Sequence, residues 1–287
     1  MKARIAILSA IFVLAVPPLA RANSIASVVV RPDGEVLFSD WVGNRIFGFG
    51  SDRKLRVVVR DKHTHHLAIG GDGLVFFEHV TPDGSVASLW SLDARGTVRE
   101  VLPPRRRPDP AAYEGTVFAV GPGNELFFLR DCQIVRAVPG DAPRAWAGSG
   151  CGEAAWKDSK VRYGHLHGSL AWGPGGAMYF SDSRTIRRVS RDGVVTTLDG
   201  RRADLFGSSL RGEPVYERIM GLAADTAGNL YFALRDDRTI RRVSPDGKTV
   251  TLARVGGSWT PTGLTFGNGA LYVVAEPRLP PTRGLFG

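Results

Sequence analysis

Cysteine is scarce: Cys132 and Cys151 are the only two, and neither belongs to a close-paired metal motif. In an oxidising compartment the pair reads as one disulfide closing a loop of about 20 residues, worth roughly 3 kcal/mol. Two buried free thiols are the alternative. Long apolar runs are also missing. The longest, Ile5 to Val16, holds about 12 residues, against roughly 20 for a membrane-spanning helix. Beyond it no stretch shows a helical period. Gly-x-Ser-x-Gly is absent, and no nucleophile triad is supported. Glycine is plentiful at 35 residues, yet no glycine-rich stretch joins a strand to a helix, which excludes the dinucleotide and phosphate-loop classes.

What is present begins with a leader. Lys2 and Arg4 precede the apolar run, Pro17 and Pro18 break it, and Ala20-Arg21-Ala22 follows. This is the layout of a secretory signal peptide over residues 1–22, cleaved after Ala22, leaving residues 23–287 as a single domain in the periplasm or secreted. The leader holds three basic and no acidic residues, so its removal lowers the formal charge from +9 to +6. An exported chain of that charge has a mildly basic, solvated surface suited to anionic envelope or substrate groups, and nucleic acid is not an expected partner.

One unit recurs through the remaining chain: an apolar stretch, a tight turn, an aromatic-rich strand, a polar turn and further strands. Its turn and second strand read Pro32-Asp33-Gly34 with Val36-Leu37-Phe38, then Asp72-Gly73 with Val75-Phe76-Phe77, then Gly123-Asn124 with Leu126-Phe127-Phe128. They return as Gly175-Gly176 with Met178-Tyr179-Phe180, Gly228-Asn229 with Leu230-Tyr231-Phe232, and Asn268-Gly269 with Leu271-Tyr272-Val273. The turns at 34, 73, 124, 176, 228 and 269 are spaced as four-stranded propeller blades require. β-Branched and aromatic residues between Gly, Asp and Asn favour strands joined by tight turns. The expected fold is an all-β, six-bladed β-propeller. Its last blade is expected to be short or incomplete, because little but Glu276 to Gly287 follows its second strand and no room is evident after Asn23 for an added N-terminal strand.

Two units are nearly superimposable, with Thr185-Ile186-Arg187-Arg188-Val189-Ser190 repeated as Thr239-Ile240-Arg241-Arg242-Val243-Ser244. With Asp40 before Asn44-Arg45-Ile46, and Gly221-Leu222-Ala223 before Gly228-Asn229-Leu230-Tyr231, the chain resembles the NHL-repeat propellers over about residues 24–276. It is more distantly similar to the gluconolactonase and strictosidine-synthase-like propellers. Fold follows from such a likeness more readily than activity does.

The resemblance implies that the connection into each blade's first strand and the turn after its second open on one end of the ring. All six histidines fall at such places: His63, His65, His66 and His79 in blade two, and His165 and His167 before blade four. Asp40, Glu78, Glu114, Asp182 and Arg218 share that rim. The candidate channel-mouth site is therefore His66, His79, Glu114, His167, Asp182, Asp40 and Arg218. Imidazoles and carboxylates there suit a divalent ion (Ca, Mg or Zn) or acid–base work. Asp40 and Asp182 equally suit tight turns, and His65 and His66 cannot share one face of a strand. Tryptophans 41, 90, 146, 156, 172 and 259 read as packing between blades.

Two functions follow. One is a binding module that presents a ring face to a protein, peptide, envelope polymer or small molecule. The other is a metal-dependent hydrolase or lyase at the channel mouth. The lactonase resemblance implies a Glu, Asn and Asp set, but Ser24-Ile25-Ala26 and His167-Gly168-Ser169 stand where its Glu and Asn belong. The lyase resemblance, with a channel histidine, suits His66, His79 and His167 better.

Overall fold

Strands with apolar residues on both faces need cover on both sides, and radial packing supplies it. The computed structural model describes residues 11–15, 25–106, 118–121, 123–130, 133–138, 141, 143–147, 169–182, 185–198 and 219–277. These form a β-propeller. Blade one contains β2 (Ile25–Val30), β3 (Val36–Asp40), β4 (Arg45–Phe49) and β5 (Leu55–Arg60). Blade two contains β6 (Leu67–Ile69), β7 (Val75–Val80), β8 (Val86–Leu92) and β9 (Val98–Arg106). Blade three follows with β10 (Phe118–Val120), β11 (Leu126–Arg130), β12 (Gln133–Ala137) and β13 (Arg144–Ala147). Blade four has β14 (Leu170–Trp172), β15 (Met178–Asp182), β16 (Thr185–Val189) and β17 (Val195–Thr197). Blade five has β18 (Ile219–Ala224), β19 (Leu230–Leu234), β20 (Thr239–Val243) and β21 (Thr249–Arg254). All five are antiparallel and in strand order.

Among the described residues the complete blades thus number five, not six. The sixth sheet has three strands, with β22 (Trp259–Gly267) and β23 (Ala270–Pro277) forming a hairpin. Its third strand is β1 (Ile11–Ala15), paired parallel with β23 from Ile11 opposite Leu271 to Ala15 opposite Ala275. The added N-terminal strand for which no room was expected therefore comes from the segment assigned to the leader. The physical reason lies in the sheet: β23 offers backbone donors and acceptors on its outer edge, and a bare edge invites pairing.

Burial is greatest at the second strand of a blade and falls outward from there, while the innermost strands face the channel. Every residue of β19 is buried, whereas the outer strand β21 is half-buried or exposed. Each blade meets its neighbour through apolar side chains, with Leu37 and Ile46 against Leu67 and Phe77 between blades one and two. Tyr179 and Ile186 likewise meet Leu222 and Phe232 between blades four and five. The sixth sheet packs Leu271 and Val273 on Tyr231 and Ile240 of blade five, and Val274 on Val28 and Phe38 of blade one. Fully burying one such side chain is worth about 1.5–3 kcal/mol. Near the axis the strands run close: a Cβ at Gly221 of β18 would lie 2.6 Å from the Leu264 backbone nitrogen of β22. Only glycine fits that approach.

Tryptophan packing holds for part of the set. Trp146 and Trp172 stack on each other and flank Phe127 between blades three and four. Trp90 also packs on the cluster between blades one and two, whereas Trp41 does something else. No helix among the described residues is long and apolar enough to cross a membrane.

Candidate functional site

The innermost strands of the five blades and β22 line one central cavity of about 210 Å3. Ser27, His66 and Ser169 contribute polar groups to a wall otherwise rich in aliphatic residues such as Val29, Leu170 and Leu222. The wall is tied together by hydrogen bonds. Backbone N–H groups of Ser27 and Ser169 donate to the buried hydroxyls of Ser39 and Ser181 at 3.1 and 3.0 Å. The Ser27 hydroxyl accepts from the Leu67 N–H at 3.0 Å, joining blade one to blade two.

Blades one and two also carry the most developed polar assembly among the described residues. The blade-one turn after β3 bonds to the connection entering β6, since Lys62 N–H donates to the Asn44 carbonyl at 3.0 Å. His63 Nδ1 lies 3.0 Å from Asn44 Oδ1, and His63 Nε2 lies 3.0 Å from His65 Nε2. An amide oxygen accepts only, so Nδ1 of His63 carries its proton, Nε2 accepts, and His65 Nε2 donates. His65 stacks on Trp41 with ring centroids 5.0 Å apart, and His63 meets the same indole edge-on at 5.5 Å. On β7, His79 Nδ1 accepts the His63 backbone N–H at 3.1 Å, which places its own proton on Nε2. Lys62 sets its ammonium 3.6 Å from the Trp90 ring centroid, a cation–π contact. The Trp90 indole N–H donates to Ser88 Oγ at 2.9 Å.

The electrostatics favour neutral bases here. Burial lowers the pKa of His63, with backbone hydrogen bonding to Trp41 opposing it. His79 is lowered by burial first and by the Lys62 charge second. Lys62 is itself lowered by burial, against the attraction of Glu100 and Asp61. Neutral imidazoles both accept and donate hydrogen bonds, which suits ligand recognition and proton handling.

Of the expected site residues, the structure places His79 in this assembly and His66 on the cavity wall, where Thr64 Oγ donates to the His66 carbonyl at 3.1 Å. Asp40 is instead committed to its turn. Its carboxylate accepts from the Gly43 N–H at 3.0 Å and from Arg45 Nη2 at 2.7 Å, while the side chain is almost wholly buried. Asp182 ends β15, opposite Thr185. Glu114, His167, Arg218 and the pair Cys132 and Cys151 lie outside the described residues. Among the described residues no three His, Cys, Asp or Glu side chains are arranged to hold a metal ion. Trp41, Asn44, Lys62 and Trp90 join the site without having been singled out for it. The clue available was proximity to the turns that carry Asp40 and His79.

No protein-family model and no curated protein matches the sequence. Solved structures do. A virginiamycin B lyase from Staphylococcus aureus is 16% identical with a TM-score of 0.55, the match covering 88% of this chain and 77% of that one. A gluconolactonase from Xanthomonas campestris is 15% identical with a TM-score of 0.59, over 89% and 84% of the two chains. Regucalcin, a calcium-binding protein from Agrobacterium tumefaciens, is 14% identical with a TM-score of 0.57, over 91% and 85%. At such identities the likeness establishes the fold: this chain is a β-propeller.

Proposed function

We propose that the chain is an exported propeller of the NHL-repeat kind, its sixth sheet counted as a short blade, that binds its ligand at the ring end where β3 and β7 finish. The observation that carries this reading is the joined group of Trp41, His63, His65 and His79 spanning blades one and two. Stacked aromatic and imidazole rings offer apolar area and hydrogen-bonding tips together, as binding surfaces require. The net basic charge favours an anionic peptide, envelope polymer or small molecule. The test is a thermal-shift screen of such compounds, followed by titration of the best one into Trp41→Ala and His65→Ala variants. At least a tenfold loss of affinity in both is expected, and unchanged affinity in both would remove the site from this region.

A second reading, a metal-dependent hydrolase or lyase at the channel mouth, draws on the named activities of the structural neighbours. A histidine-to-alanine variant of the virginiamycin B lyase is described as catalytically inactive, and in this chain His63, His65 and His79 lie together among the described residues. The expected outcome under that reading is a rise in melting temperature with Ca, Mg or Zn that His167→Ala or Asp182→Ala abolishes. No shift with any of the three ions would leave the binding reading ahead.

A further inference from the structure

We propose that the outer edge of β23 is a strand-acceptor site, and that in the exported chain it takes an extended, uncharged, apolar segment of a partner protein, added parallel in the place β1 holds. The proposal rests on removal of residues 1–22 during export, as the reading above requires. In blades one and five the third strand lies within the packed body of the blade, with Ile46 of β4 and Ile240 of β20 fully buried. Among the described residues no strand follows β23 in the sixth sheet, and β1 occupies the third-strand place with five successive residue pairs.

Apolar side chains cover both faces of β23. On the blade-five side Leu252 and Ala253 pack against the cluster holding Leu271 and Val273. On the blade-one side Phe47 and Phe49, with Tyr272, pack against the cluster holding Val274. An ordinary surface strand alternates apolar and polar residues, whereas a strand seated between two apolar walls must be apolar throughout. The segment Ile11-Phe12-Val13-Leu14-Ala15 meets that requirement. The residues after Pro277 do not, since Pro280 and Pro281 lack the N–H groups that a ladder needs. Loss of β1 therefore leaves a paired-strand position with apolar flanks and unmet backbone groups, the condition under which β-augmentation supplies affinity through the main chain and selectivity through alternating side chains.

The test uses the full chain expressed with its leader and recovered after export, its first residue read by mass spectrometry. A labelled peptide of residues 10–16, carrying terminal lysines for solubility, is titrated by fluorescence anisotropy, beside the same peptide with Val13→Pro. Expected are a start at Asn23, saturable one-to-one binding, at least tenfold weaker binding of the proline peptide, and slowed amide exchange at Leu271 to Ala275 in the complex. Recovery of a chain that retains residues 11–15, no saturable binding, equal binding of both peptides, or protection elsewhere would each overturn the proposal. So would a dimer whose β23 edge is already protected, since the occupant would then be a second copy. Trp41→Ala leaves this binding unchanged, so failure here is distinguishable from failure of the ring-mouth site.

Discussion

Blade one and blade five are built on the same repeat, yet they end their second strands with opposite chemistry. Six residues beyond the aligned turn position stand Asp40 in blade one and Leu234 in blade five, each opposite the first residue of the next strand, Arg45 and Thr239. Both side chains are buried. Asp40 is held by Arg45 and the Gly43 N–H, whereas Leu234 packs in the core shared by blades four and five. Around the ring that position reads Asp40, His79, Arg130, Asp182, Leu234 and Ala275. The polar members fall in four consecutive blades and the apolar ones in the last two sheets. A repeat fixes the scaffold at this position and leaves its chemistry free: the residue that ends the second strand is polar in the first four blades and apolar in the last two sheets, where Asp237 in the turn beyond carries the charge instead.

The comparison is most sharply broken by exchanging the two chemistries. Leu234→Asp places a carboxylate in a buried site with threonine rather than arginine opposite, and an uncompensated buried charge costs about 3–5 kcal/mol. Urea denaturation should show a loss of that size, and Leu234→Asp with Thr239→Arg should recover part of it by rebuilding the blade-one pair. A loss below about 1 kcal/mol would mean that this rim position is wetter than its burial implies.

Removing the existing pair comes next. Asp40→Ala deletes three charge-assisted hydrogen bonds to a buried carboxylate, one from the Gly43 N–H and two from Arg45, with an expected loss of about 1.5–3 kcal/mol. The matching carboxylate in blade five, Asp237, also meets an arginine at 2.7 Å, Arg241 Nη2, but is 35% exposed. Exposure of the carboxylate screens the pair, but Arg241 itself is buried, so Asp237→Ala should cost less than Asp40→Ala, about 1 kcal/mol. Equal losses at the two sites would show that burial does not set their strength.

The scaffold was legible because its signal is local. All six aligned turn positions, Gly34, Gly73, Asn124, Gly176, Gly228 and Gly269, adopt positive φ, the conformation that Gly and Asn tolerate best. Alternating aromatic strands then follow from spacing alone. The site was legible only in part. Asp40 and His79 occupy the same repeat position and read alike as rim candidates, but an arginine five residues on draws Asp40 into a turn, whereas His79 accepts a backbone N–H from the next connection. Trp41 and Trp146 are indistinguishable as letters, since partners distant in sequence decide which one packs between blades and which one stacks on an imidazole. The third strand of the sixth sheet was hidden for a related reason. Parallel pairing of the first residues with nearly the last leaves no periodic trace, and the same apolar run already reads as a leader.

The smallest expected effect separates blade two from blade five by pH. Burial lowers the pKa of His63 and His79 in the folded chain, so the unfolded chain binds more protons once pH falls below its ordinary histidine value of about 6.5. Stability is therefore fully present above that value and declines as pH falls toward the lowered folded values. A second proton on His63 would also set two N–H groups against each other at the His65 contact. Blade five contains no histidine. Lowering pH from about 7.5 to about 5 should thus speed amide exchange around residues 62–80 before it does so in β18 to β20. The drop in melting temperature should shrink in a His63→Gln, His79→Gln double variant. The same drop in the variant, or loosening that begins in blade five, would trace the pH response to carboxylates elsewhere instead of to this imidazole group.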